Sequence, residues 1–502
     1  MTEQQIVPNK DNIIVIDPIT RLEGHGKITL HLNEAGNVDK AFFQVPELRG
    51  FEKFCEGMHS EEMPRITQRI CGVCPTAHHM ASVKALDDLY QVTPPPAALK
   101  IREFVYNCFM VEDHTLHFFF LGGPDFIVGP EAPKAERNIL GVIAKAGLDA
   151  GKKVIAMRRE IRNLMTEITG KVIHPVFGLP GGISKALNKD IQERAIKISE
   201  QAIEFAQWTM GLFNQIVLGN EEYVNLITSQ AYTNETYYMG LVDKNNQVNF
   251  YDGDLRIMDP TGKEYAKFDV HNYLDYIAEH VEPWTYVKQT YLKPIGWKGF
   301  IDGIDSGLYR VNPLARLNVS EGMPTPLAQK EYDRLYDTLG GKPVHMTLAW
   351  HWARIVETLY GAERMLELAK DPDFIDSNVR ELPSKTPKEG IGVVEAPRGV
   401  LIHHYNTNDL GVIEKVNLIV ATQQNAAPIN LGIKQAAQGL IKNGHVTDGI
   451  LNKIEMAFRA YDPCFACATH TLPGQLPLRL EIYNANNERI RNMRMWDGTE
   501  VK

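Results

Sequence analysis

Apolar positions change their rhythm along this chain. Near the start they come as short runs and alternations. Ile13–Ile16 reads as a strand, and Lys27–Leu32 and Ala41–Val45 as two more around the turn Asn33–Asn37, with the turn-rich Asp17–His25 between the first two. Pro75 suits a first helical position, and Ala77, Ala81, Val83, Leu86 and Leu89 keep a helical stripe down to the break at Pro94–Pro96. Three long helix-period segments follow, Ala97–Leu121, Pro133–Thr169 and Asn188–Leu218; Gly170 suits the end of the second, and Leu179–Ser184 is a turn. From Ala231 to Leu317 the composition shifts to Tyr, Gly, Asp and Asn with short strands, which predicts a β-rich lobe. Helical pattern returns at Leu327–Leu339 and His345–Lys370. Gly392–Thr422 alternates like strands around Asn406–Gly411. Two helices, near Ile429–Lys442 and Thr447–Ala460, come next, and Leu476, Leu478, Leu480 and Ile482 alternate like a last strand able to pair with the body. No internal repeat or low-complexity tract interrupts this. The pattern predicts an α+β fold, mainly helical.

Composition narrows the class. At 502 residues the chain can bury a large core, and 44% apolar with 23% charged residues is ordinary globular usage. The net charge of −9, with no Lys/Arg block, argues against nucleic acid as a partner. No charged-then-apolar leader opens the sequence, and no apolar run approaches spanning length, so the expectation is a cytoplasmic protein without a membrane span. A chain of this kind can still be exported on its partner's signal. Six cysteines are too few for a disulfide scaffold.

Four of those cysteines form two C-x-x-C pairs, Cys71/Cys74 and Cys464/Cys467, at opposite ends of the chain. Each pair can chelate one soft metal ion, and two pairs brought together give four thiolates, a set that suits zinc, an iron–sulfur cluster or nickel. Pro75 suggests a helix N-terminus just after Cys74, which stabilises thiolate. A structural zinc site is the plain alternative. Against it, zinc ribbons keep their pairs about 15–20 residues apart, whereas here nearly the whole chain intervenes. Each pair also carries a downstream histidine, His78 or His470, that four thiolates do not need. A dithiol redox enzyme needs one pair in a compact βαβ pattern, which neither pair shows.

The blocks R-x-C-G-x-C-x-x-x-H and D-P-C-x-x-C-x-x-H resemble the large subunit of nickel–iron hydrogenases. D-P-I-T-R-L-E-G-H (Asp17–His25), R-G-F-E (Arg49–Glu52) and E-A-P-R-G (Glu395–Gly399) fall in that family's order, so the resemblance spans essentially the whole chain. It implies the hydrogenase large-subunit fold, with a bundle of long helices at the centre, β-rich lobes around it and the two cysteine pairs meeting in the interior. It also implies nickel on Cys71, Cys74, Cys464 and Cys467, with Cys74 and Cys467 bridging to an iron that carries carbon monoxide and two cyanides. Arg398 resembles the guanidinium that overhangs the metals, oriented by Asp113 and Asp462; Asp113 rests on its spacing from Cys74 alone. Thr422, in the strand-like region, would bond a cyanide, and His78 a bridging sulfur. Glu23 resembles the first proton relay. Glu52, His470 and the Leu418 carbonyl resemble the ligands of a magnesium ion. For each residue an ordinary structural role is the competing reading: a helix histidine, a strand threonine, a surface or capping carboxylate. Cys55 and Cys108 match no family role and read as inert buried thiols.

R-G-F-E-K-F-C-E-G, V-I-H-P at Val172–Pro175, L-P-G-G-I-S and His403–His404–Tyr405 are similar to the cytoplasmic, multimeric branch, above all the methyl-viologen-reducing type that works with heterodisulfide reductase. An NAD-coupled type and a hydrogen-sensing regulatory protein are the alternatives. The quinone-reductase subunit of respiratory complex I shares the fold but lacks the four cysteines. With no spare cysteine set for clusters and no G-x-G-x-x-G, electrons are expected to leave through a small subunit carrying iron–sulfur clusters, and from there to further subunits of heterodisulfide reductase or diaphorase type. The resemblance sets a catalytic domain at 1–470, with the β-rich lobe within 231–317. It makes 471–502 an extension removed by a maturation endopeptidase after nickel chaperones have acted.

Overall fold

A computed structural model describes residues 12–171, 173–385 and 388–469, together with the backbone of two strands, Arg479–Tyr483 and Arg489–Arg494. Four long helices form its centre: Pro96–Leu116, Leu148–Thr169, Lys189–Phe213 and Trp350–Lys370. Trp350–Lys370 packs on both Lys189–Phe213 and Pro96–Leu116, and Leu148–Thr169 packs on the same two. The first part of Trp350–Lys370 is buried on every side, from Trp350 to Glu363. Its buried charges are held by neighbours: Glu357 by Arg316, Glu363 by Thr325, and Arg354 through Nη2 alone, which donates to the Ala460 carbonyl.

Outside this bundle, the three larger of the described sheets pack on the helices Pro75–Leu89, Pro313–Val319 and Ala421–Leu440. Ile13–Ile16, Lys27–Leu32 and Val38–Gln44 form an antiparallel meander. Glu389–Ala396, Gly399–Thr407 and Ile413–Ile419 form a second. In the stretch expected to be β-rich, Tyr237–Val242, Asp254–Met258 and Glu264–Phe268 pair antiparallel, with Tyr309–Arg310 added in parallel. These last two sheets share a core: Met239, Leu241, Leu255 and Ile257 pack with Ile391, Val393, Val400 and Ile402.

Several boundaries depart from the sequence pattern. Pro133–Thr169 is not one helix. Asn138 caps Ile139–Ala146, and Gly147, at φ 93, breaks the chain before Leu148–Thr169. Ala97–Leu121 and Asn188–Leu218 each end in a π-helical turn, His117–Gly122 and Asn214–Leu218. The apolar stripe continues through such a turn, so periodicity alone does not reveal it. Thr422 is not on a strand: it is the second residue of a helix that runs from Ala421 to Leu440, eight residues ahead of the predicted start. All positions from Ala421 to Ile433 are buried, which erases the amphipathic signal. Near the C-terminus, Arg479–Tyr483 pairs with Arg489–Arg494 in a two-stranded sheet; Leu476 and Leu478 of the expected strand lie outside the described residues. His470 lies outside the described residues.

Candidate metal centre

The Pro75–Leu89 helix carries the first cysteine pair at its N-terminus, with Cys74 in the capping position and Pro75 opening the helix. The Val73 and Cys74 N–H groups point at Cys71 Sγ, at 3.2 and 3.4 Å. Strand Glu389–Ala396 presses directly on this helix. A Cβ at Gly392 would come within 2.1 Å of the Ala81 carbonyl, and one at Gly390 within 2.2 Å of the Ala85 carbonyl. Glycine at both positions is therefore what lets the hairpin bearing Arg398 lie against the helix bearing the cysteines.

The second pair comes from the Phe465–Ala468 turn, clasped by the Asp17–His25 loop. Glu23 bridges Cys464 in parallel fashion: its N–H donates to the Pro463 carbonyl, and its own carbonyl accepts from Phe465 N–H at 3.0 Å. Gly24 has φ 85, and a Cβ there would stand 3.0 Å from Ala466 N, so the two loops touch at a residue without a side chain. A buried ionic lattice anchors the Asp17–His25 loop. Arg21 bonds Asp125 at 2.5 Å and the Leu121 carbonyl at 2.8 Å; Arg459 bonds Asp125 at 2.7 Å and Glu455 at 2.5 Å; Glu455 accepts from Thr20 Oγ1 at 3.0 Å.

These elements bring the four sulfurs together. Cys71 Sγ lies 3.2 Å from Cys464 Sγ, Cys74 Sγ 3.3 Å from Cys467 Sγ, and Cys464 Sγ 2.8 Å from Cys467 Sγ. All four are buried and none is in a disulfide. Their donor atoms all fall within 4.8 Å of one another. Beside them is a small cavity lined by Cys74, His78, Arg398, Thr422, Cys464 and Cys467, with Ala396, Leu401, Val420 and Ala421. Four thiols this close cannot all ionise unaided. Cys71, whose sulfur receives hydrogen bonds from Cys464, Cys467 and Cys74, is held well below the usual thiol value, while burial pushes Cys464 and Cys467 well above it. A cation among them supplies the missing charge, and a buried, convergent set of four soft donors fits nickel.

Arg398 enters from the hairpin turn. Its Nε donates to the Asp462 carbonyl at 2.6 Å, and its Nη2 stands 3.0 Å from Asp462 Oδ2 and 3.2 Å from Asp113 Oδ1. Asp462 has φ 53, a conformation a non-glycine residue rarely holds, and it is this turn that presents carbonyl and carboxylate to the same guanidinium. Burial pushes Asp113 up to about 7 and raises Asp462, against the pull of Arg398. Glu23 Oε2 stands 3.0 Å from Cys464 Sγ and accepts from Ala466 N–H at 3.1 Å; burial, then the Cys71 charge, raises its proton affinity. Thr422 Oγ1 accepts from Cys464 N–H at 3.0 Å. Glu52 lies apart from these groups, accepting from Leu418 N–H at 2.7 Å, and burial pushes its carboxyl to about 8. Cys55 and Cys108 are buried outside the cluster; burial raises both, Cys55 to about 12.

A second buried network joins Glu395 of the E-A-P-R-G block to Arg316, Glu357 and His114, which no sequence block marks. Arg316 binds both oxygens of Glu357, at 2.5 and 2.6 Å, and Glu395 at 2.7 Å; it also donates to the Ala396 and Pro397 carbonyls at 2.9 and 3.2 Å. His114 Nε2 completes it, 2.9 Å from Glu357. Asp113 and its neighbour His114 thus close a ring: Asp113 to Arg398, then back through Pro397, Arg316 and Glu357 to His114. All these side chains are buried. Removing one partner of such a pair costs about 3–5 kcal/mol.

Comparison with known proteins agrees with this geometry. Residues 49–146 and 304–470 match the family model described as nickel-dependent hydrogenase, and residues 13–48 match one described as HoxL-like. The chain belongs to the nickel-dependent hydrogenase family. It is 46% identical to an F420-non-reducing hydrogenase iron-sulfur subunit from Archaeoglobus profundus, covering 96% of this chain and 99% of that one. It is 38% identical to the NAD-reducing hydrogenase HoxS subunit beta of Cupriavidus necator, covering 95% and 98%. Among solved structures, a NAD+-reducing [NiFe]-hydrogenase in its H2-reduced state superposes with a TM-score of 0.84 at 35% identity, over 91% of this chain and 99% of that one. This hydrogenase chain is a catalytic large subunit, an oxidoreductase acting on dihydrogen, and its four convergent cysteines fit a nickel–iron centre. No helix among the described residues of the hydrogenase is long and apolar enough to cross a membrane.

Proposed function

We propose that Cys71, Cys74, Cys464 and Cys467 hold nickel, that Cys74 and Cys467 also reach an iron carrying carbon monoxide and two cyanides, and that the chain passes electrons to an iron–sulfur small subunit. The observation that carries this reading is the convergence of four buried sulfurs, with Glu23 3.0 Å from the sulfur of Cys464 and Arg398 lining the cavity that three of the cysteines share. When bound, the centre supplies a Lewis acid for a substrate that is itself a very weak acid. The rest falls to side chains. Glu23, facing Cys464 Sγ with its proton affinity raised, takes a proton from that sulfur and passes it outward. Arg398 is permanently charged and lines the cavity, so it polarises without accepting protons. Asp113 and Asp462 hold its plane. Thr422, which accepts from Cys464, has its hydroxyl proton to offer a cyanide, and His78 lines the same cavity.

Glu52, His470 and the Leu418 carbonyl are assigned to magnesium. Burial pushes the Glu52 carboxyl up to about 8, and a cation at this site would hold it ionised at neutral pH, which is the support for this assignment. For the electron acceptor, the 46% identity to the F420-non-reducing relative favours the methyl-viologen-reducing, heterodisulfide-reductase-linked type. The TM-score of 0.84 to the NAD+-reducing structure keeps the diaphorase-linked type as the second reading. In either case the protein works in the cytoplasm, after nickel chaperones and a maturation endopeptidase have acted on it. Metal analysis and infrared spectra of the purified complex test the centre: nickel and iron with carbonyl and cyanide bands are expected, and nickel-free active enzyme sinks the assignment. Assay of dihydrogen oxidation with NAD+ against viologen dye separates the two acceptor types.

A further inference from the structure

His78 lines the cavity one helical turn beyond Cys74, and its other side is spoken for. His78 Nδ1 stands 3.1 Å from His403 Nε2. His403 Nδ1 stands 2.6 Å from the Tyr405 hydroxyl, and that hydroxyl 2.9 Å from Ser82 Oγ. All four side chains are buried. The spacing explains the fit. His78 and Ser82 are four apart on the Pro75–Leu89 helix, a rise of about 6 Å; His403 and Tyr405 are two apart on the Gly399–Thr407 strand, a rise of about 6.6 Å. Helix and strand therefore present two matched rungs, and the close approach at Gly390 and Gly392 brings the hairpin to the helix.

The bonds in this chain run one way or the other together. If Ser82 donates to Tyr405, Tyr405 to His403 Nδ1, and His403 Nε2–H to His78 Nδ1, then a neutral His78 carries its proton on Nε2. If Tyr405 donates to Ser82, each bond reverses, and His78 Nε2 is a bare lone pair. Tyr405 donates to Ser82 Oγ, so the second direction is the one the structure holds: His403 Nδ1–H donates to Tyr405, His78 Nδ1–H donates to His403 Nε2, and Nε2 of a neutral His78 is left as a lone pair.

We infer that His403 and Tyr405 are positioning residues for His78, fixing through one hydrogen-bonded chain the ring nitrogen that bears its proton. This rests on the metal-centre reading above, because the cavity that His78 lines is the one beside those cysteines. No net proton moves along the chain; what changes is which atom of His78 holds one.

The test uses the whole hydrogenase complex. Tyr405→Phe keeps the ring and removes only the hydroxyl; His403→Leu cuts the chain; His403→Gln keeps a polar link. Expected are wild-type nickel and iron contents, shifted g values of the nickel paramagnetic resonance in Tyr405→Phe and His403→Leu, and kcat lowered about 10-fold or more with KM for dihydrogen unchanged. His403→Gln should recover part of both. If His403→Leu does not accumulate, Tyr405→Phe decides. A nickel-loaded Tyr405→Phe enzyme with the wild-type signal and kcat overturns this inference alone, whereas a wild-type complex without nickel overturns the metal-centre reading and this inference with it.

Discussion

Asp462 holds Arg398 twice: its carbonyl accepts from Nε at 2.6 Å, and its carboxylate stands 3.0 Å from Nη2. Asp113 takes the other edge of the same plane, so the guanidinium is fixed in orientation as well as position. Arg398→Lys keeps the charge but loses that plane. Metal content should stay at the wild-type level while dihydrogen oxidation falls about 100-fold or more. Unchanged turnover in a dye-reduction assay would remove Arg398 from the mechanism.

Glu23→Gln keeps an oxygen for the Ala466 N–H but has no basic carboxylate to face Cys464. Nickel and iron should remain, and exchange of dihydrogen with deuterated water should fall about 100-fold or more. Exchange at the wild-type rate would mean that another group relays the proton.

Burial, then the charge of Arg354, holds His351 at about 3, below its ordinary 6.5. The unfolded chain accepts a proton that the folded one excludes, so this group's contribution to stability is full above pH 6.5 and is lost as pH falls toward 3. Asp113 has the opposite sign: its folded value, about 7, lies above the ordinary 3.8, so its share is full below pH 3.8 and is lost as pH rises through 7. The comparison of variants therefore isolates the histidine. Between pH 6.5 and 4 the melting midpoint of His351→Gln should fall less steeply than that of the wild type; equal slopes would show that His351 does not carry the effect.

If Thr471–Lys502 is removed on maturation, active nickel-loaded enzyme ends at His470. Intact-mass spectrometry of that enzyme checks this directly. A mass that still includes Thr471–Lys502 refutes the maturation claim and leaves the metal site untouched.

What the sequence discloses depends on how local each feature is. The two cysteine pairs, Glu23 and Arg398 each sit in a short block of fixed spacing, and those blocks meet in space. Asp113 is readable only as a distance along the chain from Cys74, yet it reaches Arg398. The Arg316–Glu357–His114 ring is not readable, because its members stand on three different helices with no shared motif, and a buried charge looks like a surface charge until its partner is known. In the sequence His403 and Tyr405 are only marks of a branch; their link to His78 needs the helix and the strand placed side by side. Thr422 reads as a strand residue, wrongly, because a helix buried all round has no polar face to betray its period.

Cys71 and Cys464 touch across 393 residues of chain. A ribosome adding about 5–20 residues per second releases the second cysteine pair roughly 20–80 s after the first. Through that interval Cys71 and Cys74 are a two-thiol chelator at a helix end, open to whatever divalent ion the cell offers. The clasp between Glu23 and Cys464 can close only when synthesis is nearly done. Translation itself thus sets a clock on metal choice: an ion that arrives early meets half a site, and one that arrives late meets four donors.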